Sequence, residues 1–240
     1  MAGPRTPLLH PQEYFAEQSS APLRDATIVV GAVAVLSAAG ASVLLHEFAA
    51  TLDVMVEVQN PAHTPEWVCE GPNPLNTTRT GCDPSVPETI ERRLGALLLE
   101  EYSWLPWATL VVVPLLWLVQ GVVLHVGSAM FDAEGEFGRS LAVAGWGMAP
   151  SLARLFAVGG FLVYKLRTAS IGGTPESAVQ ALEAVVATVG PASMGGAVVV
   201  AVWAGVIRTY GLAELRDVSV SDAAALVVVT TVVGLLFELV

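Results

Sequence analysis

The chain has 240 residues, 54% of them hydrophobic and only 14% charged, with a mean hydropathy of +0.63. That balance suits a chain whose solvent is largely lipid and excludes an ordinary soluble domain. Lys and Arg number 11 against 22 Asp and Glu, and Lys165 is the single lysine, so a basic footprint for nucleic acid is excluded as well. The acidic excess is the usage of proteins from salty surroundings, where carboxylate-rich surfaces stay hydrated and surface charge pairs are screened.

In chain order, residues 1–25 form a polar amino-terminal segment, expected in the cytoplasm, whose Leu8, Leu9, Tyr14 and Phe15 should rest on headgroups as an interfacial tail. Residues 26–45 carry no charge and reach the ~20 residues a bilayer requires, so a first span is predicted there. A cleavable signal peptide, with its apolar region of about 7–15 residues, fits less well. Gly31, Ala38, Gly40 and Ala41 give this span a smooth face for close helix packing.

Residues 46–104 turn polar and proline-rich and are predicted to form one large extracellular loop. Cys69 and Cys82 both lie in it and can close a ring by themselves, so a disulfide on an oxidising face is expected. Asn76-Thr77-Thr78, between them, is a glycosylation acceptor pattern. The loop should end in a helix lying along the membrane from Glu88 to Trp104, with Ile90, Leu94, Leu97 and Leu98 on one face. Tyr102, Trp104 and Trp107 follow as an aromatic belt.

Four more spans are predicted over 105–131, 140–164, 184–207 and 218–240, giving an all-α bundle of five membrane-crossing helices. The second and third are joined by the stretch that organises the chain. There an apolar run ends at Phe131, a polar turn follows with Gly135 and Gly138, and a new apolar run starts at Ser140. Ahead of the fourth span, Thr174-Pro175-Glu176 combines a hydroxyl cap, a first-turn proline and an acid near the positive helix end. Within it, Ala197, Ala201 and Gly205 recur every four residues as a packing stripe.

Five spans place the termini on opposite sides. Lys and Arg outside the spans divide five against five, so the positive-inside rule sets no orientation. The cysteines and the acceptor pattern favour a cytoplasmic amino terminus and an extracellular carboxyl terminus in the cell membrane.

Arg154 is the costliest residue, because it lies about 21 Å along the third span from Ser140, at a depth where arginine costs up to ~3 kcal/mol. Counting back along the antiparallel second span brings Trp117 and Gln120 beside it, so a cation–π contact and a hydrogen bond are expected to satisfy it. His125, near the inner end of span two, is placed for an ordinary hydrogen bond, with a ligand or proton role as the alternative. His46-Glu47 starts like a zinc-protease motif, but position 50 is alanine and the second histidine is missing. Nucleophile-elbow and phosphate-loop patterns are absent, and no catalytic, metal or cofactor site is predicted.

Three regions together resemble the Yip-one domain family, the Ypt/Rab-interacting integral membrane proteins, in the form seen in haloarchaea. Leu8-x-x-Pro11-x-x-Tyr14-Phe15 is similar to the family's opening segment of a proline and an aromatic pair. His125-x-Gly127, Gly135-x-Phe137, Gly145-Trp146 and Pro150-Ser151 resemble its central glycine-bearing hairpin and the late proline after it. Trp203-x-x-x-Ile207, Tyr210-Gly211-Leu212 and Ala223 to Ala225 resemble its closing segment, so the likeness extends over nearly the whole chain. The resemblance implies a five-helix bundle with a cytosolic amino terminus, no enzymatic activity, and association with like proteins and prenylated Rab GTPases in membrane shaping. Asp132 to Phe137 lacks the paired glycines and serine of many relatives, and the short cytosolic tail lacks room for the eukaryotic partner-binding segment, which argues against a Rab-like partner.

Two functions follow as expectations. The first is a non-enzymatic membrane protein that organises the bilayer, copies of itself or other membrane proteins through helix packing. The second is a transporter or channel for an unnamed small molecule or ion, lined by Arg154, Gln120 and His125. A continuous polar cavity reaching Arg154 would favour the second, and a packed interior the first.

Overall fold

The computed structural model describes residues 6–17, 23–64, 66–69, 85–169 and 173–239. Cys82 and Asn76 lie outside these residues. A short helix α1 (Pro11–Ala16) precedes α2 (Leu23–Thr51), and strand β1 (Met55–Gln59), helix α3 (Glu66–Cys69) and strand β2 (Thr89–Arg93) follow. Helices α4 (Leu94–Tyr102) and α5 (Leu105–Ala129) come next, then α6 (Phe137–Trp146), α7 (Ser151–Arg154), a π-helical turn (Leu155–Gly159) and α8 (Gly160–Thr168). Helices α9 (Pro175–Arg216) and α10 (Val220–Leu239) complete the chain.

Among the described residues four helical units are long and apolar enough to cross a membrane: 23–51, 94–129, 137–168 and 175–216. A shorter apolar helix, Val220–Leu236, joins them. Helices are the expected solution, because lipid offers no partner to a backbone N–H or C=O. Val111, Leu115, Val119, Val228, Val229 and Val232 stay exposed on α5 and α10, as side chains facing hydrocarbon should.

The bundle has a hairpin end, where α1, the 130–136 turn and the α9–α10 junction meet, and a ribbon end, where β1, β2 and α4 lie. The main core is at the hairpin end, where Phe15, Leu124, Val143, Ile207, Leu212, Leu215 and Val227 form one buried cluster. At the ribbon end a smaller cluster joins Leu52, Val54 and Ala178, flanked by Leu94 and Leu98.

Three expectations are corrected. The surface helix expected from Glu88 begins only at Leu94, because Thr89–Arg93 pairs antiparallel with Met55–Gln59, Val58 opposite Ile90. Period-two alternation in both segments half-buries Val56, Val58, Ile90 and Arg92 on one face. The first free N–H groups of α4 then find backbone acceptors, Leu94 N on Val54 O at 2.9 Å and Gly95 N on Leu52 O at 3.0 Å.

The third span is not one straight helix, since residues 147–150 interrupt it and a π turn follows Arg154. Pro150 cannot donate to the ladder, so the helix cannot run through it undisturbed.

The amino-terminal segment is also no surface tail. Phe15 is 1% exposed and packs inside the main core, while Leu9 is 73% exposed.

Candidate functional site

The break in the third span frees a carbonyl. Gly147 N still bonds Val143 O, but Met148 N, Ala149 N and Ser151 N shorten their reach to Gly145 O, Trp146 O and Met148 O. Gly147 O receives none of these and instead accepts from Arg208 Nη2 at 3.4 Å. The same Nη2 donates to Gln120 Oε1 at 3.0 Å, so three separate helical units converge on one guanidinium. Arg208 Nε is buried and has no acceptor among the described residues. Among the described residues no carboxylate lies within ion-pairing distance of Arg208. The positive charge sits at the carbonyl end of α6, where the helix dipole favours a cation. The approach is tight, because a Cβ on Gly147 would lie 2.5 Å from Arg208 Nε.

Beside this cluster the amino-terminal segment enters the bundle. Trp203 on α9 donates its indole N–H to Leu8 O at 2.8 Å, and the Tyr14 ring meets the Trp146 ring edge-on at 5.6 Å. Phe15 fits where Gly211 leaves room, since a Cβ there would meet Phe15 at 3.2 Å and Val143 at 2.9 Å. Burial, and after it the Asp25 carboxylate, holds the Tyr14 phenol above its ordinary pKa.

The polar turn closes the same end. Arg216, 2% exposed, donates through Nε to Ser128 Oγ at 3.3 Å and through Nη1 to Gly135 O. Glu134 N returns a bond to Arg216 O at 3.1 Å, and Arg139 Nη1 reaches Leu215 O at 3.0 Å. Gly135 has φ +101°, a conformation that glycine adopts at little cost.

The signature residues gather here too. A Cβ on Gly127 would press on Leu226, and one on Gly145 would press on Ala26 and Trp117. Phe137 lies edge-on to His125 at 5.4 Å, and the His125 Nδ1 pairs with Ser140 Oγ at 3.3 Å.

Arg154 is placed elsewhere, and its expected partners are otherwise engaged. Its Nη2 donates to Ser193 Oγ on α9 at 3.2 Å, whereas Gln120 serves Arg208 and the Trp117 indole donates to Leu141 O at 2.8 Å. The depth count assumed an unbroken helix; the interruption before Arg154 and the π turn after it change which neighbour its side chain meets. Arg154 lines a largely apolar groove of about 320 Å³ with Gly190, Ser193, Met194 and Leu235. Neither Gln120 nor His125 lines it.

Sequence reasoning counted Arg208 and Arg216 only among the five positive charges outside the spans on the inner side. A signal was present: Arg208 follows Ala204 by four and Gly205 by three, which continues the small-residue face of α9.

Apolar helices around a buried core, with exposed valine and leucine on their outer faces, define a multi-pass integral membrane protein. The family model for the Yip1 domain matches residues 7–240, and the chain belongs to that family. No curated relative and no solved structure matches.

Proposed function

We propose that this chain is a non-enzymatic scaffold of the Yip1 type that organises the bilayer and partner membrane proteins through its helix surfaces. The observation that carries the reading is the closed hairpin end, where Phe15, Tyr14 and Trp203 seat the amino-terminal segment against the core and Arg208 ties α5, α6 and α9 together. A transport path through Arg154, Gln120 and His125 is less well supported, because these three side chains serve separate partners.

In this reading residues 1–25 are a cytoplasmic segment seated on a membrane domain of residues 26–240, and the loop 46–104 faces the exterior of the cell membrane. Cys69 and Cys82 form a disulfide there, with Asn76 as a glycan acceptor between them. The absence of any free thiol among the described residues supports that pairing. The acidic composition supports the haloarchaeal form. The partners are copies of the chain or other membrane proteins.

Crosslinking in native membranes at high salt, followed by capture of the full chain, tests the function. Specific protein adducts are expected. Their absence, together with solute flux in vesicles that hold the purified chain, would sink the scaffold reading.

A further inference from the structure

Arg208 has more donor capacity than the protein uses. Its two protein bonds both leave from Nη2 and end on the neutral oxygens of Gln120 and Gly147. Nη1 makes no hydrogen bond to the described residues, and Nε is buried and has no acceptor among them. An arginine in a protein stays protonated, so this is a permanent cation packed among neutral groups. Three arginines at the ribbon end show the contrast: Arg92 pairs with Glu100, Arg93 with Asp53 and Arg167 with Glu47.

Two rulers fix the depth of Arg208. The apolar run of α9 from Ala184 ends at Ile207, about 36 Å of helix, so Arg208 is the first charge past a stretch that fills the hydrocarbon. Along α5, Gln120 lies about 20 Å from Trp107 of the aromatic belt, which leaves roughly 10 Å of a ~30 Å hydrocarbon layer beyond it. The guanidinium therefore sits within the last ~10 Å of the core on the hairpin side, below the phosphates of that leaflet. Nη1, the donor left over at that level, suits the anionic oxygens of lipid headgroups, because guanidinium and phosphate match in charge and hydrogen-bond geometry.

We propose that Arg208, held between Gln120 and Gly147 at the break of the third span, binds the phosphate of an anionic phospholipid in the leaflet on the hairpin side. The inference adds a ligand to the scaffold reading and does not rest on it. Free inorganic phosphate offers the same oxygens, and depth favours the lipid.

The full-length chain, purified in mild detergent and analysed by native mass spectrometry, gives the first readout. Wild type is expected to retain one phosphatidylglycerol in preference to phosphatidylcholine, and Arg208→Gln to lose at least ten-fold of that retention. Arg92→Gln, altered at the ribbon end, should retain lipid as wild type does. If Arg208→Gln fails to fold, delipidated wild type supplies the second readout through its melting temperature. A rise with phosphatidylglycerol but not with phosphatidylcholine or inorganic phosphate supports the lipid site. A rise with inorganic phosphate alone keeps the anion site and overturns the lipid source. No rise with either, or equal retention by wild type and Arg208→Gln, overturns the proposal and leaves Arg208 a helix tie only.

Discussion

The Trp203 indole and the Leu8 carbonyl meet at 2.8 Å across a sequence separation of 195 residues. This bond anchors the start of a segment that six residues of helix could not order alone, because isolated helices that short are unstable in water. Trp203→Phe keeps the ring and removes the donor, which leaves Leu8 O without its partner and should cost about 1–3 kcal/mol. Phe15→Ala empties a core position and should cost about 3–5 kcal/mol. Both are read as lower melting temperature in detergent, and an unchanged melt for Phe15→Ala would mean the segment is not seated in the core.

Gly147→Ala should push Arg208 out of its place, since the new Cβ would fall 2.5 Å from Nε. The two sites are in contact, so their penalties should not add. A double-mutant cycle with Arg208→Ala checks this: Gly147→Ala should be costly alone and nearly neutral once the guanidinium is gone. Equal penalties in both backgrounds would place the clash elsewhere.

At the ribbon end, Gly95→Ala is expected to be the most damaging glycine change, because its Cβ would meet the backbone oxygen of Ala49 at 2.0 Å. A backbone atom cannot swing aside as a side chain can, so α4 must leave α2. Gly31, with nothing within 4 Å of a built Cβ, is the matched control. Gly31→Ala should be neutral or stabilise by up to about 1 kcal/mol. Thermal melts of the two variants side by side decide it.

The proposed disulfide predicts that a membrane-impermeant thiol reagent labels Cys69 and Cys82 on intact cells only after reduction. Labelling without reduction would remove the disulfide. Labelling that needs both reduction and lysis would reverse the orientation and put the hairpin end outside.

How much was legible depended on how local the cause was. Thr174 caps α9 as read, accepting from Ser177 N at 3.3 Å, because a cap involves only four neighbouring residues. The stripe on α9 was legible too, with Ala197 buried and a Cβ built on Gly205 lying 3.6 Å from Val227. Thr89–Arg93 was misread because its β partner lies thirty-odd residues earlier, and its few apolar residues satisfy either period. The seat of Phe15 depends on Val143 and Gly211, which no local pattern connects to it. Arg154 was assigned the wrong partners because counting along a helix holds only while the helix stays regular, and the interruption at 147–150 ends that regularity four residues before Arg154.

The seating of the first residues on α9 also sets an order in time. Leu8 leaves the ribosome 195 residues before Trp203, and Phe15 about as far ahead of Gly211. At about 5–20 residues per second, the segment waits on the order of ten to forty seconds before its seat is synthesised. Throughout that interval Phe15 has no native site, so the nascent chain carries an exposed aromatic anchor that the finished protein hides.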